Sequence, residues 1–151
     1  MKKKRVFAGY INLKPINGVI FPSYAQNQMN KKYIIEKLNG EFFLSTNENT
    51  YGTNNIVLKS LLEEKRIKGI CMLSTFHLPD DLDSRYLIYK LAQKNKKEIH
   101  FVFEETSILN SKNIENIEQL LIFNQQFFTK KIDKLNKFQK KFFLNKDWTF
   151  V

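Results

Sequence analysis

Short apolar runs and segments with helically spaced apolar positions alternate along the first hundred residues of the chain. The runs are β-prone and predict strands, and the segments between them predict helices. The predicted strands are residues 6–12, 41–45, 67–73 and 99–103. The predicted helices are residues 23–38, residues 54–66 and a third that begins at residue 78 or 81, in the stretch where Pro79 favours a helix start, and ends at about residue 94. The third run is apolar on both faces, as in the central strand of a parallel sheet. The pattern therefore predicts an α/β fold with a mostly parallel four-stranded sheet and helices on both faces.

Parallel strands joined by right-handed crossovers all end at one edge of the sheet, where ligands bind in such folds. The loops that should meet at this edge are residues 10–28, 45–53, 74–80 and 104–110. The carboxyl edge of the sheet is therefore the predicted functional site.

After residue 107 the pattern changes. Residues 113–121 predict another helix, and residues 124–144 alternate Phe or Leu with Lys at roughly helical steps. A basic amphipathic helix of this kind binds a membrane surface, nucleic acid or a partner subunit, or packs its aromatic stripe on its own domain. We therefore predict an α/β domain over residues 1–121 and a basic, Phe-rich helical tail over residues 122–151, through which the chain would form a homo-oligomer.

The net charge of the chain is compatible with several classes of partner. The 151-residue chain has 25 Lys and Arg against 15 Asp and Glu, a formal net charge of +10. Seven lysines fall between Lys130 and Lys146, and four basic residues follow Met1. This balance suits nucleic acid, anionic sugar nucleotides or a membrane surface, and it equally suits a solvated Lys-rich surface.

Two features concern the location of the protein. No apolar stretch approaches the roughly 20 residues that a membrane span needs. The single cysteine, Cys71, lies within the apolar residues 70–73, which fits a structural role in a reducing compartment. The sequence therefore predicts a cytoplasmic protein without a membrane span.

Several kinds of chemistry lack their usual motifs. The five glycines are scattered and form no phosphate-binding loop, and Cys71, His77 and His100 do not have the spacing of zinc ligands. We therefore predict no metal and no cofactor. A triad of Ser74, His77 and Asp80 is disfavoured, because one short loop rarely positions all three groups.

The loops at the carboxyl edge carry polar groups that suit a hydroxyl-rich ligand such as a sugar. The candidate catalytic residues are Glu48, Ser74 and Glu104, and the candidate ligand-binding residues are Gln26, Asn27, His77 and Arg85. The carboxylates would act as general acid or base, and the guanidinium would hold an anionic group. Each residue alone also fits a helix cap, a turn or the surface, so the prediction depends on their convergence.

The order of elements over residues 6–108 resembles the catalytic domain of serine recombinases (resolvases). That family carries the pattern Tyr-x-Arg-x-Ser after its first strand, and here Tyr10, Asn12 and Lys14 occupy those positions. The arginines that the family has after its central strand are missing from residues 77–80. The resemblance implies a resolvase-like fold, with flavodoxin-like as the alternative, and no active recombinase chemistry.

A closer resemblance, over about residues 8–121, is to the sporadic carbohydrate cluster family, small resolvase-like bacterial proteins found among surface-polysaccharide biosynthesis genes. It is carried by Pro22, Gln26, Asn27, Glu48, Arg85, the stretch LSTFHLP at residues 73–79 and the stretch HFVFE that ends at Glu104. The resemblance adds Phe76 to the ligand-binding candidates. It implies a protein of a surface-carbohydrate pathway that binds or modifies a sugar or nucleotide sugar at the strand ends.

Two alternative functions stay open. One is a catalytically degenerate recombinase-like protein that binds nucleic acid through residues 130–146, although nothing in the sequence favours sequence-specific binding. The other is a structural module that dimerises through the Phe-rich tail.

Overall fold

The computed structural model describes residues 2–48 and 54–125. The strands are β1 (Val6–Ile11), β2 (Glu41–Asn47), β3 (Gly69–Met72), β4 (Glu98–Phe101) and β5 (Thr106–Ile108), and the helices are α1 (Ser23–Glu36), α2 (Ile56–Glu63), α3 (Leu82–Lys94) and α4 (Ser111–Gln125). The chain divides into two compact units, Met1–Ile114 and Glu115–Val151. The first contains the whole sheet with α1 to α3. Beyond residue 125 the predicted tail lies outside the described residues.

The five strands form one sheet in the order β2-β1-β3-β4-β5. β1 runs parallel to both β2 and β3, and β3 runs parallel to β4, with Ile70 opposite Ile99. Only β5 is antiparallel to its neighbour, β4. The predicted α/β fold is confirmed. The sheet has one strand more than predicted, because β5 has only three residues, TSI, and shows no apolar run of its own.

The central strand and the helices on the faces agree with the predicted pattern. All four residues of β3 are buried. α1 contacts β1, β2 and β3, whereas α2 contacts β3 and α3. With right-handed crossovers, α1 covers one face of the sheet and α2 and α3 cover the other. Phe7, Ile34 and Cys71 form the core beneath α1. Burial raises the pKa of the Cys71 thiol, so this cysteine is a core residue and not a nucleophile.

The connection between β3 and α3 contains a turn that was not predicted, and the helix begins at the later of its two predicted positions. The helix was expected to begin at residue 78 or 81, with Pro79 opening it. Instead, Thr75–His77 forms a single 3-10 turn, and α3 begins one residue after Asp81. Asp81 Oδ2 accepts a hydrogen bond from Ser84 N at 2.8 Å, which makes Asp81 the N-cap.

The fourth strand is also shorter than predicted. The apolar run 99–103 was expected to form one strand that ends before Glu104. β4 stops at Phe101, which pairs with Thr106 of β5. Glu104 therefore lies in the turn between β4 and β5.

The strand order reverses between β1 and β3, because β2 lies on one side of β1 and β3 on the other. In open α/β sheets a crevice for ligands forms at such a switch point, beyond the carboxyl ends of the strands. The loops after β1 and β3 flank this crevice.

Candidate functional site

Lys14 joins the two loops that flank the crevice between β1 and β3. Lys14 Nζ lies 2.8 Å from the carbonyl oxygen of Leu78 and 2.5 Å from Asp80 Oδ1. The side chain of Lys14 is 27% exposed and that of Asp80 is 87% exposed. The ion pair therefore lies at the protein surface, where a ligand can reach it.

His77, in the loop after β3, contacts the backbone of the loop after β1. Its Nε2 lies 3.0 Å from the backbone carbonyl oxygen of Lys14, and because a carbonyl can only accept, Nε2 carries the proton. The imidazole is buried, and burial lowers the pKa of His77 to about 4. His77 is therefore neutral at physiological pH. Its buried Nδ1 has no hydrogen-bond partner within residues 2–48 and 54–125.

Glu48 holds the first turn of α2. Its Oε1 accepts from Val57 N at 3.1 Å, and its Oε2 accepts from Leu58 N at 3.1 Å and from Tyr10 Oη at 2.9 Å. Asn55, the residue before the helix, has a left-handed backbone and makes no side-chain cap bond. The carboxylate therefore takes the place of a cap, at a helix end that favours negative charge. Burial, together with the charge of Glu48, raises the pKa of Tyr10 and keeps its hydroxyl protonated.

Gln26 fixes the loop that follows β1. Its Nε2 donates to the carbonyl oxygens of Asn12 at 2.7 Å and Phe21 at 2.8 Å, and its Oε1 accepts from Asn12 N at 3.2 Å. The side chain of Gln26 is buried. Asn12 in turn donates from Nδ2 to Tyr10 Oη at 3.2 Å and accepts from Lys14 N at 2.9 Å. Gln26 therefore orders the residues that reach the crevice.

Glu104 ties the turn between β4 and β5 to the loop after β3. Its Oε1 accepts from Ser74 Oγ at 2.5 Å, from Thr75 N at 3.1 Å and from Thr75 Oγ1 at 3.0 Å. Ser74 Oγ also accepts from Phe76 N at 3.2 Å, which caps the 3-10 turn. Ser74 is buried, and the buried Glu104 Oε2 has no hydrogen-bond partner in the described part of the chain.

The remaining candidates, Arg85, Phe76 and Asn27, make fewer side-chain contacts with the residues described above. Arg85 Nη1 donates to the carbonyl oxygens of Pro79 at 3.1 Å and Asp80 at 2.6 Å, so the guanidinium lies against the loop that carries Asp80. Phe76 and Asn27 are half-buried. Phe76 donates from its backbone N–H to Ser74 Oγ, and Asn27 follows Gln26 in α1.

A continuous chain of hydrogen bonds connects Glu48 through Tyr10, Asn12 and Lys14 to Asp80. The predicted residues that join this chain, or the loop of residues 74–80 that it holds, are Gln26, Glu48, Ser74, Phe76, His77, Arg85 and Glu104. Most of the predicted residues therefore share one edge of the sheet. Many of their polar groups bond to the protein itself.

Sequence reasoning left Tyr10, Asn12, Lys14 and Thr75 out of the candidate site. The first three follow one another at every second position from within β1. In an extended chain this spacing places side chains on the same side, which is a signal that the pattern itself contained. Thr75 has no comparable signal, because its contact with Glu104 depends on the turn between β4 and β5.

The described residues contain neither a metal-binding cluster nor a helix that could cross a membrane. No group of three or more His, Cys, Asp and Glu side chains there is arranged to hold a metal ion. None of the helices in the described ranges has the length and apolar character to cross a membrane.

Comparison with known proteins gives a likeness of fold. No family model matches the sequence, and none of the curated proteins matches it. Among solved structures, the N-terminal catalytic domain of the TP901-1 integrase matches with a TM-score of 0.59 and 16% sequence identity, covering 83% of this chain and 98% of the integrase domain. At this identity the match concerns the fold alone. The chain has the resolvase-like α/β fold of that integrase domain.

Proposed function

We propose that this protein binds a sugar or nucleotide sugar at the carboxyl edge of its sheet, as part of a bacterial surface-carbohydrate pathway, and does not carry out recombinase chemistry. The observation that carries the proposal is the exposed Lys14–Asp80 ion pair beside Arg85, at the switch point between β1 and β3. Cationic and polar groups at such a crevice favour a ligand with both an anionic group and hydroxyls.

The residue at the nucleophile position argues against recombinase chemistry. A serine recombinase needs a hydroxyl oxygen there to attack the DNA phosphodiester. Lys14 stands at that position of the pattern, and its ammonium group contacts the Leu78 carbonyl and Asp80. The buried hydroxyl of Ser74 donates to Glu104 and faces no open surface.

The anionic group of the ligand would replace Asp80 at Lys14. An ion pair whose carboxylate is 87% exposed contributes little to stability, so its exchange for a ligand costs little. Arg85, held by two backbone carbonyls of the same loop, would contribute a second cation with planar geometry. The half-buried amide of Asn27 and the ring of Phe76 would contact the hydroxyls and the apolar face of a sugar.

We further propose that, in any reaction of this protein with its ligand, Glu104 accepts the proton. Its Oε1 already accepts from Ser74 Oγ, while Oε2 accepts no hydrogen bond from the described residues. Glu48 would act indirectly, because its carboxylate holds Tyr10 Oη and the start of α2.

Calorimetry tests the binding proposal. A panel of nucleotide sugars and acidic sugars is titrated into the wild type and into the Lys14→Ala, Arg85→Ala and Lys32→Ala variants. We expect the wild type to bind at least one ligand and the first two variants to bind it about tenfold more weakly or worse, since each loses a charge-assisted contact. Lys32 is an exposed residue of α1, and its substitution should leave the affinity unchanged.

Two outcomes would contradict the proposal. The first is that the wild type binds no member of the panel. The second is that Lys32→Ala weakens binding as much as Arg85→Ala, which would indicate general charge attraction in place of a site.

Nucleic-acid binding is the second candidate function. The resolvase-like fold and the net charge of +10 favour it. Seven lysines and two aspartates lie within residues 126–151, so this segment would supply much of the attraction to phosphates.

A further inference from the structure

Basic residues concentrate at the amino edge of the sheet, opposite the candidate site. They immediately precede three of the parallel strands: Lys2, Lys3, Lys4 and Arg5 before β1, Lys65, Arg66 and Lys68 before β3, and Lys94, Lys96 and Lys97 before β4. Because these strands are parallel, the three clusters lie at the same edge. This edge plays no part in the function proposed above.

Two carboxylates at this edge, those of Glu98 and Glu64, are already paired. Glu98 lies 3.0 Å from Arg5 Nη1 and 2.8 Å from His100 Nε2. Glu64 pairs with Arg66 at 2.8 Å. Lys68 and Lys96, in contrast, form no ion pair within the described ranges, so the edge keeps an excess of positive charge.

A cavity of about 320 Å³ opens among these lysines. The lining residues that matter here are Lys68, Gln93, Lys96, Lys97, Ile108 and Leu109. Lys97 Nζ donates to the carbonyl oxygens of Glu64 and Ile67, each at 2.5 Å, which fixes the ammonium group in place and leaves one of its three donors for a ligand. The volume lies at the lower end of the range for small-molecule sites.

The cavity combines a cationic side with an apolar side. Lys68, Lys96 and Lys97 supply the positive charge, and the exposed Leu109, with Ile108 buried beside it, supplies the apolar surface. Glu98 also lines the cavity, and its carboxylate is paired with Arg5 and His100. The adjacent start of α4 adds little to the charge, because Asn110 Oδ1 already accepts from Lys112 N at 3.0 Å and the Asn110 carbonyl accepts from Asn113 N at 3.2 Å. The three lysines are therefore the cationic groups of the lining, and they outnumber its single carboxylate, Glu98.

We propose that this cavity binds a small nucleotide, with the phosphates on Lys68, Lys96 and Lys97 and the base against Leu109. The lysines match the charge of the phosphates, and the apolar side matches the flat face of a base. The site is separate from the carboxyl edge and stands or falls independently of sugar binding there.

The experiment titrates ADP, pyrophosphate and adenosine into the full chain by calorimetry at about 0.1 M salt, where exposed charges are partly screened. The variant is the double substitution Lys68→Gln and Lys96→Gln, and its matched control is Lys94→Gln, an exposed residue of α3 that does not line the cavity. We expect the double variant to bind ADP about tenfold more weakly or worse and the control to match the wild type within about twofold. Pyrophosphate should bind, and adenosine should bind more weakly than ADP.

Three results would overturn the proposal: no ADP binding by the wild type, unchanged binding by the double variant, or an equal loss in Lys94→Gln. Adenosine binding as tight as that of ADP would also overturn it, because the lysines would then contribute nothing. An ADP affinity that falls in Arg85→Ala but not in the double variant would assign the nucleotide to the carboxyl edge, which would support the function proposed above and reject this one.

Discussion

A buried, neutral imidazole holds the loop between β3 and α3 in place. His77 donates from Nε2 to the Lys14 carbonyl, and burial lowers its pKa to about 4 from an ordinary value of 6.5. The folded state therefore takes up this proton less readily than the unfolded state. The contribution of neutral His77 to stability is complete above about pH 6.5 and is lost as the pH falls toward about 4.

We predict that substituting His77 by Gln removes this part of the pH dependence. An amide can still donate to the Lys14 carbonyl but does not titrate. Between pH 7 and 4 the free energy of unfolding of the wild type should fall by about 3 kcal/mol more than that of the variant. Denaturant unfolding of both proteins across this pH range measures the difference. The two proteins share every titratable group except His77. Parallel curves of unfolding free energy against pH would therefore contradict the lowered pKa of His77.

Residue identity alone did not reveal these contacts. The sequence marked Gln26 and Glu48 as polar groups near a strand end, but their partners, Asn12 and the first turn of α2, follow from the path of the chain. A side chain in a loop can bond to ligand, backbone or water, and only the position of its neighbours decides which.

At the scale of elements, α2 depends on a side chain that lies outside it. Its own preceding residue, Asn55, provides no side-chain cap, and Glu48 accepts from the amides of Val57 and Leu58. The carboxylate also accepts from Tyr10, so one residue fastens β1 and α2 beside the end of β2.

We predict that substituting Glu48 by Gln lowers the free energy of unfolding by about 1–3 kcal/mol, because an amide loses the charge and cannot accept all of the same bonds. The matched control is Glu63→Gln at the other end of α2, an exposed position whose substitution should change stability by less than about 0.5 kcal/mol. Chemical denaturation measures both variants. Equal small effects would show that the cap bonds contribute nothing to stability.

Elements with a strong apolar pattern were predicted and weak ones were not. β3 was recognised from an uninterrupted apolar run and is buried throughout. β5 was missed because three residues that form an antiparallel edge need no run of their own. The 3-10 turn at Thr75–His77 was missed because its cap, Ser74 Oγ, is also part of the contact with Glu104.

At the scale of the whole molecule, most of the basic residues fall in two groups, those that precede β1, β3 and β4 and those within residues 126–151. Seven of the 25 basic residues fall in that final segment. Dimerisation through its Phe-rich stripe remains a prediction, which light scattering on a chain ending at residue 125 would test. A mass unchanged by the truncation would contradict it.

We predict that any binding to duplex DNA is mostly nonspecific charge attraction. An association that neutralises about five phosphates should weaken by about 10² to 10³ between about 50 and 200 mM salt. The chain ending at residue 125 should show a shallower salt dependence. Fluorescence anisotropy with two unrelated duplexes measures both properties. A clear preference for one duplex at the higher salt would contradict the prediction and favour the recombinase-like alternative.

The sequence by itself determined the alternation of strands and helices, the central place of β3 and the edge at which the loops after the strands meet. The reason is that buried apolar residues recur at regular spacings along each strand and helix. Only the tertiary structure decided that Lys14 pairs with Asp80, that Glu104 bonds to Ser74 and Thr75, and that lysines before β3 and β4 line one cavity. These partners are far apart in the chain, and a contact between distant residues depends on how the backbone folds, which local spacing does not record.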